Sequence, residues 1–326
     1  MNIGIIGYKN HAEKLIRLVN SFSQIKKIFV YHPIKKNLKR LKFVSKKINK
    51  TSNFQDLLEA DGVIISSRNN SHATYLQSLK KKYIFCEKPP ADSLKDLTKI
   101  KKLDKKKIVF NYHLIKTFFS KYVKKRIDDK KLGDPININI EISYGIAFKK
   151  NLKKNWRFNK KNIFSTITGN LGIHYIRQLL FWFNDLKILS TYQRGVIKIN
   201  SIDTVNINLL GDKKVNINVF LSYAAPKKNL ISITFTNGLL EFDDGKINEY
   251  FPRDQFDKKG QFVKPQVKRI KTFKDSTKHN FIGLEDNLKI FLRTIYDKKF
   301  FDSKEFDKGI SSAELILKIK KSENKK

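Results

Sequence analysis

The spacing of apolar positions changes character partway along the chain. Up to about residue 115, short apolar runs alternate with stretches of helical spacing. Asn2–Gly7 is an apolar run that ends in a loop. Ala12–Phe22 follows, with Leu15, Ile16, Leu18, Val19 and Phe22 on one side, the period of an amphipathic helix. Ile28–Tyr31, Gly62–Ser66, Tyr83–Cys86 and Ile108–Tyr112 predict further strands. Phe54–Glu59, Ser71–Leu79 and Ser93–Lys102 predict helices between them, and Leu38–Ile48 reads either as a polar helix or as a loop to a short third strand. Strands alternating with helices predict a parallel sheet covered on both faces. Right-handed crossovers make such a sheet doubly wound.

Beyond about residue 120 the period becomes two. Ile136–Tyr144, Val205–Leu210, Val215–Tyr223, Leu230–Thr236 and Leu239–Phe242 all alternate. The segments TNG (236–238) and GDKK (211–214) carry hairpin-turn chemistry, so the strands they join are antiparallel. An apolar helix over Leu171–Phe183 interrupts them. Residues 245–280 are polar and read as a long irregular loop. Helices over Leu284–Tyr296 and Phe306–Lys320 follow, and the KKSENKK tail is expected to be disordered. The expected fold class is α/β plus α+β. A doubly wound parallel sheet fills domain 1–115, and domain 116–326 holds an open, mostly antiparallel sheet, its final helix able to pack back near the first domain.

Composition narrows the function classes. A chain of 326 residues that is 40% hydrophobic can bury the cores of two domains. It has no uninterrupted apolar run of membrane-spanning length. The opening MNIGIIGYKNHAEK lacks the basic-then-apolar layout of a signal peptide, so a cytoplasmic location is expected. The single cysteine, Cys86, excludes an internal disulfide and argues against a cysteine-rich metal site, and no metal is expected. The net charge of +38 would suit nucleic acid or a membrane surface. However, lysine far outnumbers arginine, and the abundant Ile, Asn, Phe and Tyr share its A/T-rich codons, so mutational bias accounts for the excess. The lysines are also spread along the whole chain, and no zinc-knuckle, helix-turn-helix or RNA-recognition pattern accompanies them. Neither nucleic acid nor membrane is expected as a partner, although the charge would attract anionic ligands.

Candidate chemistry collects at the predicted strand ends. GIIGYKNHAEK places Gly7 at the first glycine of a G-x-G-x-x-G/A dinucleotide fingerprint and Ala12 at the third. Lys9 stands where the second glycine lets backbone approach a pyrophosphate. There it could pair with phosphate, aided by Asn10 and the helix N-terminus, or the segment could be an ordinary strand-to-helix turn. The second strand ends at His32 without the acid that binds a ribose 2′-hydroxyl in NAD sites. Lys35, Lys36, Lys39 and Arg40 follow, a charge pattern that favours NADP over NAD. Ser66, Ser67 and Asn69 fall at the carboxyl end of a parallel strand, where ligands bind such sheets. His72, in the next helix, is either a cofactor contact or a satisfied helix-start residue. Glu87 and Lys88 emerge at the same edge. Pro89 and Pro90 stiffen the point where the ammonium is presented, so Lys88 could bond a substrate hydroxyl or stabilise an alkoxide. Glu87 could hold Lys88 or bind the ribose.

SSRNNSH, CEKPP, FNYH (110–113), GNLGIHYI (169–176) and the final helix GISSAELILKIKKS together resemble the glucose–fructose oxidoreductase, inositol dehydrogenase and MocA-like (Gfo/Idh/MocA) family over essentially the whole chain. The resemblance implies an N-terminal Rossmann domain and a C-terminal domain whose open sheet joins dimers or tetramers. It implies hydride transfer between NAD(P) and a carbon of a sugar, sugar derivative or cyclitol. Lys88 would bind substrate and assist proton transfer, and His174 would be the general acid/base. Asn170 stands where the family carries aspartate, four residues before His174 and thus on the same helical face. Arg177 stands where the family often has a second aspartate, and Phe164–Ile167 replaces a glycine-rich run. Trp156 and Arg157 fall in a region that supplies substrate contacts in the family, with Arg157 suited to an anionic group and Trp156 open to a packing role, while His113, a further substrate-binding candidate, and Lys116 fall near the expected domain junction. Tyr112 reads equally well as core. The departures at Lys9 and Asn170 also suit a relative that has kept the fold as a nucleotide- or sugar-binding sensor or assembly subunit.

Overall fold

Six short strands build the first sheet: β1 (Asn2–Ile6), β2 (Lys27–Tyr31), β3 (Ile48–Thr51), β4 (Gly62–Ile65), β5 (Tyr83–Glu87) and β6 (Ile108–Asn111). In the computed structural model, which describes residues 1–149, 163–197 and 201–323, they run parallel in the order β3-β2-β1-β4-β5-β6. The strand order reverses between β1 and β4, so the carboxyl ends on either side of that switch form the ligand edge of the sheet. The crossovers carry α1 (Asn10–Asn20), the single-turn α2 (Lys35–Leu38), α3 (Asn69–Ser78) and α4 (Leu94–Lys101). On α1 the buried positions are Ala12, Leu15, Ile16, Leu18 and Val19, which matches the apolar stripe in the sequence. Fully burying Leu15, Ile16 and Val19 contributes about 1.5–3 kcal/mol each over leaving them exposed.

The chain divides into two units, Met1–Tyr112 with Leu284–Glu314, and His113–Gly283 with Leu315–Lys326. Two long helices, α7 (Ser276–Tyr296) and α8 (Ser303–Glu323), each contribute to both. Leu284, Leu288, Phe291 and Leu292 of α7 join the core of the first unit with Ile3, Ile5, Ile28 and Phe85. Phe306 of α8 lies 5.1 Å from Phe110, and Tyr112 donates to the carbonyl of Gly309 at 2.9 Å. Tyr112 is therefore a core residue.

The second unit contains α5 (Phe118–Asp129), β7 (Pro135–Ser143), α6 (Ile173–Trp182), β8 (Leu186–Arg194), β9 (Thr204–Gly211), β10 (Asn216–Ser222), β11 (Lys228–Phe235), β12 (Gly238–Asp243), β13 (Lys246–Tyr250) and β14 (Val267–Thr272). Its sheet runs β14-β13-β12-β11-β7-β10-β9-β8, antiparallel except for the β7–β10 pair. One face buries Ile138, Ile140, Val205, Ile207, Ile217, Val219, Ile231 and Ile233, the positions that alternate in sequence.

Residues 245–280 are not a long loop. They carry β13, β14 and the first turn of α7. The strands were hidden because β14, VKRIKT, is an edge strand exposed almost throughout, with charged residues where the period-two pattern would need apolar ones. For the same reason the edge strand β8 has no apolar alternation to read. The apolar helix begins at Ile173 rather than Leu171, because Thr168–Gly172 forms a π-helical turn in front of it.

Candidate active site

Gly7 closes β1 at φ +126°, a conformation that side chains rarely adopt. A Cβ at this position would lie 2.5 Å from the Ser66 carbonyl oxygen and 3.3 Å from the Ala12 Cβ. Glycine is thus required both by dihedral and by space, and Ala12 lets α1 lie close. Lys9 occupies the N-cap of α1 with no side-chain cap, so the first amides of the helix stay available to an anion. These are the features a dinucleotide diphosphate needs, and Lys9 supplies a cation beside them.

At the end of β2, His32 Nδ1 accepts from the Ile34 amide at 3.0 Å, and the ring packs edge-on against Tyr8 with centroids 5.0 Å apart. Burial lowers the pKa of His32, which is neutral at pH 7. Lys36 is exposed. On the other side of the switch, Ser66, Ser67 and Asn69 remain partly exposed at the carboxyl end of β4, and Ser67 and Ser71 share a hydroxyl bond of 2.7 Å. His72 is fully buried. Burial lowers its pKa, and its Nδ1 faces the Pro89 carbonyl at 2.7 Å, so the neutral ring donates there. It holds the turn that presents Lys88.

Glu87, the last residue of β5, is buried and lies at the centre of a polar chain. Its Oε1 receives His11 Nε2 and Asn111 Nδ2, each at 2.6 Å, and Asn111 Oδ1 receives Asn287 Nδ2 at 3.1 Å. Burial works against the carboxylate. The charge and hydrogen bond of His11, the Asn111 amide and the Lys88 ammonium outweigh it, and the pKa falls from 4.5 to about 2. The same carboxylate raises the pKa of the half-exposed His11, against the effect of burial. Lys88 follows directly, partly exposed, and the Lys88–Pro89 bond is cis. An ionised carboxylate thus stands behind the ammonium at the ligand edge of the sheet.

In the second unit, Gly169 sits in the π turn where a Cβ would lie 2.4 Å from the Ile163 carbonyl oxygen. From Thr168 to Leu180 every residue is buried except Asn170, Leu171 and His174. The π turn, a device often found at functional sites, keeps Asn170 and His174 on the one open stripe of the segment, although the intervening geometry is not ideal α-helix. Asn170 Nδ2 donates to the Tyr223 hydroxyl at 2.9 Å, and the rings of His113 and His174 meet edge-on, centroids 4.9 Å apart. Tyr144 and Tyr223 follow the paired ends of β7 and β10, Ser143 and Ser222. Tyr175 donates to Tyr144. Burial, then the neighbouring Tyr223, pushes the pKa of Tyr144 up to about 12, and burial raises that of Tyr175 well above its ordinary value. Both are neutral at pH 7 and act there as hydrogen-bonding groups rather than bases. Arg177, one turn beyond His174, is fully buried.

The first unit therefore gathers Gly7, Lys9, Asn10, Ser66, Ser67, Asn69, Glu87 and Lys88 at one sheet edge. The second gathers His113, Asn170 and His174. Arg157, with Trp156, lies outside the described residues. Sequence reasoning misses His11; a polar residue directly before Ala12, at the ligand edge, is the available signal. It also misses Tyr144 and Tyr223. They approach because β7 and β10 pair in parallel, each residue with one 79 positions later in the chain, a pairing no local pattern announces. Among the described residues no three His, Cys, Asp or Glu side chains converge as metal ligands, and no helix is long and apolar enough to cross a membrane.

Comparison with known proteins bears on the family and the fold. The chain is 26% identical over 242 residues to a glucose-6-phosphate 3-dehydrogenase of Bacillus subtilis, a match covering 71% of this chain and 65%, just under two thirds, of that enzyme. Its fold is that of a levoglucosan dehydrogenase solved with NADH, with TM-score 0.80, 17% identity and 99% and 96% of the two chains covered. It is also that of a 3-ketoreductase from Actinomadura kijaniata solved with NADP, with TM-score 0.77, 12% identity and 98% and 97% covered. Residues 1–113 match the oxidoreductase family with an NAD-binding Rossmann fold and residues 120–241 match the GFO/IDH/MocA C-terminal domain, so the chain belongs to the Gfo/Idh/MocA family, with NAD or NADP as the cofactor of its first domain.

Proposed function

We propose that the protein is an NADP-preferring oxidoreductase that interconverts a secondary hydroxyl and a ketone on a sugar, sugar derivative or cyclitol in the cytoplasm. The observation that carries the reading is Lys88, presented beside the ionised Glu87 at the carboxyl edge of a dinucleotide-binding sheet. A nicotinamide bound here would supply the hydride acceptor or donor. Gly7, Asn10 and the open amides of α1 receive the diphosphate, with Lys9 adding charge. Lys88 donates to the substrate oxygen and favours the alkoxide character that develops as the C–H bond breaks. His174 takes the hydroxyl proton in oxidation and returns it in reduction. Asn170 fixes a hydroxyl by hydrogen bonding and, being an amide, moves no proton. His113 and Arg157 complete the substrate contacts, Arg157 for an anionic group. Dimers or tetramers through the second sheet belong to the same reading. Asn137, Asn139, Asn206, Asn208 and Asn218 leave its outer face polar and partly exposed, so that association would rest on hydrogen bonds.

Lys88→Ala is expected to lower kcat/KM by about a hundredfold to a thousandfold while nicotinamide nucleotide still binds, and His174→Ala to lower it and remove a limb of the pH profile. Undiminished turnover in Lys88→Ala would refute the assignment. The absence of NAD(P)-linked turnover on any sugar or cyclitol would instead favour the sensor role.

A further inference from the structure

Between β13 and β14 the chain leaves the second sheet as a small hairpin of its own. Phe256 pairs with Phe262 as an antiparallel bridge, the Asp257 amide donates to the Gln261 carbonyl at 2.9 Å, and the Val263 amide donates to the Gln255 carbonyl at 3.0 Å. The Asp257 carboxylate accepts from the amides of Lys259 and Gln261 at 2.8 and 2.9 Å, and Gly260 closes the turn at φ +75°. The hairpin is ordered by these bonds and is nevertheless left in solvent. From Arg253 to Arg269 only Gln255 and Pro265 are partly sheltered. Phe256 is 53% exposed and Phe262 77%, and the two rings lie against each other with centroids 4.7 Å apart. Val263 and Val267, further along the same segment, are exposed as well.

The charge around this apolar tip has one sign. Residues 253–271 hold seven cations and two carboxylates, Asp254 and Asp257. Both carboxylates are engaged, Asp254 by Arg253 at 2.8 Å and Asp257 by the turn amides. Among the described residues no ion pair holds Lys258, Lys259, Lys264 or Lys268, all four of them exposed. Codon bias supplies lysine and phenylalanine to the whole chain, but it does not place phenylalanine outside. Among the described residues five of the chain's 25 phenylalanines are exposed, and two of those five meet on this tip. Rings held in water forgo their burial, so an ordered tip that keeps two of them together points to an apolar surface outside the chain.

We propose that this hairpin is a contact site for an anionic phospholipid bilayer, with Phe256 and Phe262 entering the acyl boundary and Lys258, Lys259, Lys264 and Lys268 meeting the headgroup phosphates. The tip protrudes, which suits a fluid surface rather than a cleft. Lysine stems are long and flexible, so the ammonium groups reach the phosphates while the rings go deeper. A second copy of the chain would bring the same cations to the contact and be repelled. The contact is peripheral and needs no spanning helix. It departs from the sequence expectation of no membrane partner because that expectation weighed total charge, whereas the hairpin joins charge to exposed aromatic surface.

The test is co-sedimentation of the whole protein with vesicles of phosphatidylcholine alone and of phosphatidylcholine with phosphatidylglycerol in equal parts. Wild type is expected to bind the anionic vesicles and not the neutral ones. Phe256→Ser with Phe262→Ser leaves the net charge unchanged and is expected to weaken that binding by about tenfold or more. Leu189→Ser with Tyr192→Ser, which removes exposed apolar groups from β8, is expected to keep it. Lys258→Glu with Lys259→Glu is expected to weaken it far more than Lys80→Glu with Lys81→Glu, an equal change of charge on two exposed lysines after α3. Equal binding by wild type and the phenylalanine double variant means adsorption by net charge alone and overturns the proposal. Equal loss in the two lysine pairs overturns it too, as does a wild type that binds neither kind of vesicle. Binding to duplex DNA that depends on Phe256 and Phe262 when vesicle binding does not would assign the tip to nucleic acid instead. Circular dichroism matching wild type shows that the exposed substitutions leave the fold alone.

Discussion

Replacing Glu87 by Gln removes a charge from the first unit with little change of shape, and its effect can be worked out from the site. The carboxyl titrates at about 2 in the fold against an ordinary 4.5, the depression caused by His11, Asn111 and Lys88 prevailing over burial. Each tenfold in that equilibrium corresponds to about 1.36 kcal/mol, so ionised Glu87 contributes about 3 kcal/mol. The folded pKa is the lower one. The contribution is therefore complete above pH 4.5, erodes as the pH falls, and is gone once the pH has passed 2. The raised pKa of His11 is the same interaction seen from the other partner and is not counted twice. Glutamine resembles the protonated acid and lacks the contribution at every pH. Hydrogen exchange of peptides covering β5 and β6 reads the opening of this region separately from the other unit. At pH 7 Glu87→Gln should exchange about a hundredfold faster there than wild type, and the gap should narrow steadily below pH 4.5 once intrinsic rates are corrected. Equal protection at pH 7, or a gap that does not close in acid, would refute the account of Glu87 as a carboxylate held ionised by its neighbours.

Two further expectations concern the second unit. His279 is buried, accepts from the Phe119 amide at 3.3 Å, and titrates at about 4, mainly because of burial. Its folded pKa lies below 6.5, so stability should fall by about 3 kcal/mol between pH 6.5 and 4; Trp182 fluorescence in denaturant, compared with His279→Gln, should show the pH dependence missing from the variant. Arg126 binds Glu249 at 2.7 Å, both side chains being almost fully buried, and Tyr122 donates to the same carboxylate at 2.7 Å. Arg126→Ala should cost about 3–5 kcal/mol in denaturant unfolding, and Arg126→Met with Glu249→Leu much less, because the single change strands a buried charge.

The parallel half of the protein was legible because each strand and helix there carries its own period, and the site residues at strand ends follow from the strands. Legibility failed where structure is settled by distant pairing or by edges. Strand β14 reads as loop because it is paired on one side only. The convergence of Tyr144 and Tyr223 depends on β7 lying beside β10, and the π turn at Asn170 leaves no mark in a hydrophobic pattern. Lys36 is the cofactor candidate that the sequence offers in a lysine-rich segment, and nothing in that segment's pattern announces that the path of the chain after His32 brings Arg40 into one cavity with Tyr8, Lys9 and Asn10.

The first unit is closed by chain from both ends of its sequence, and this bears on how the protein is made. Residues 1–112 emerge from the ribosome without Leu284, Leu288, Phe291 and Leu292, so Ile3, Ile5, Ile28 and Phe85 lack part of their cover until α7 appears. At translation speeds of about 5–20 residues per second, that delay lasts roughly 10–30 s. During it the nascent Rossmann half exposes apolar surface to any holdase or like chain nearby. Ribosomes stalled before and after α7 should therefore display nascent chains of very different protease resistance over the same first hundred residues.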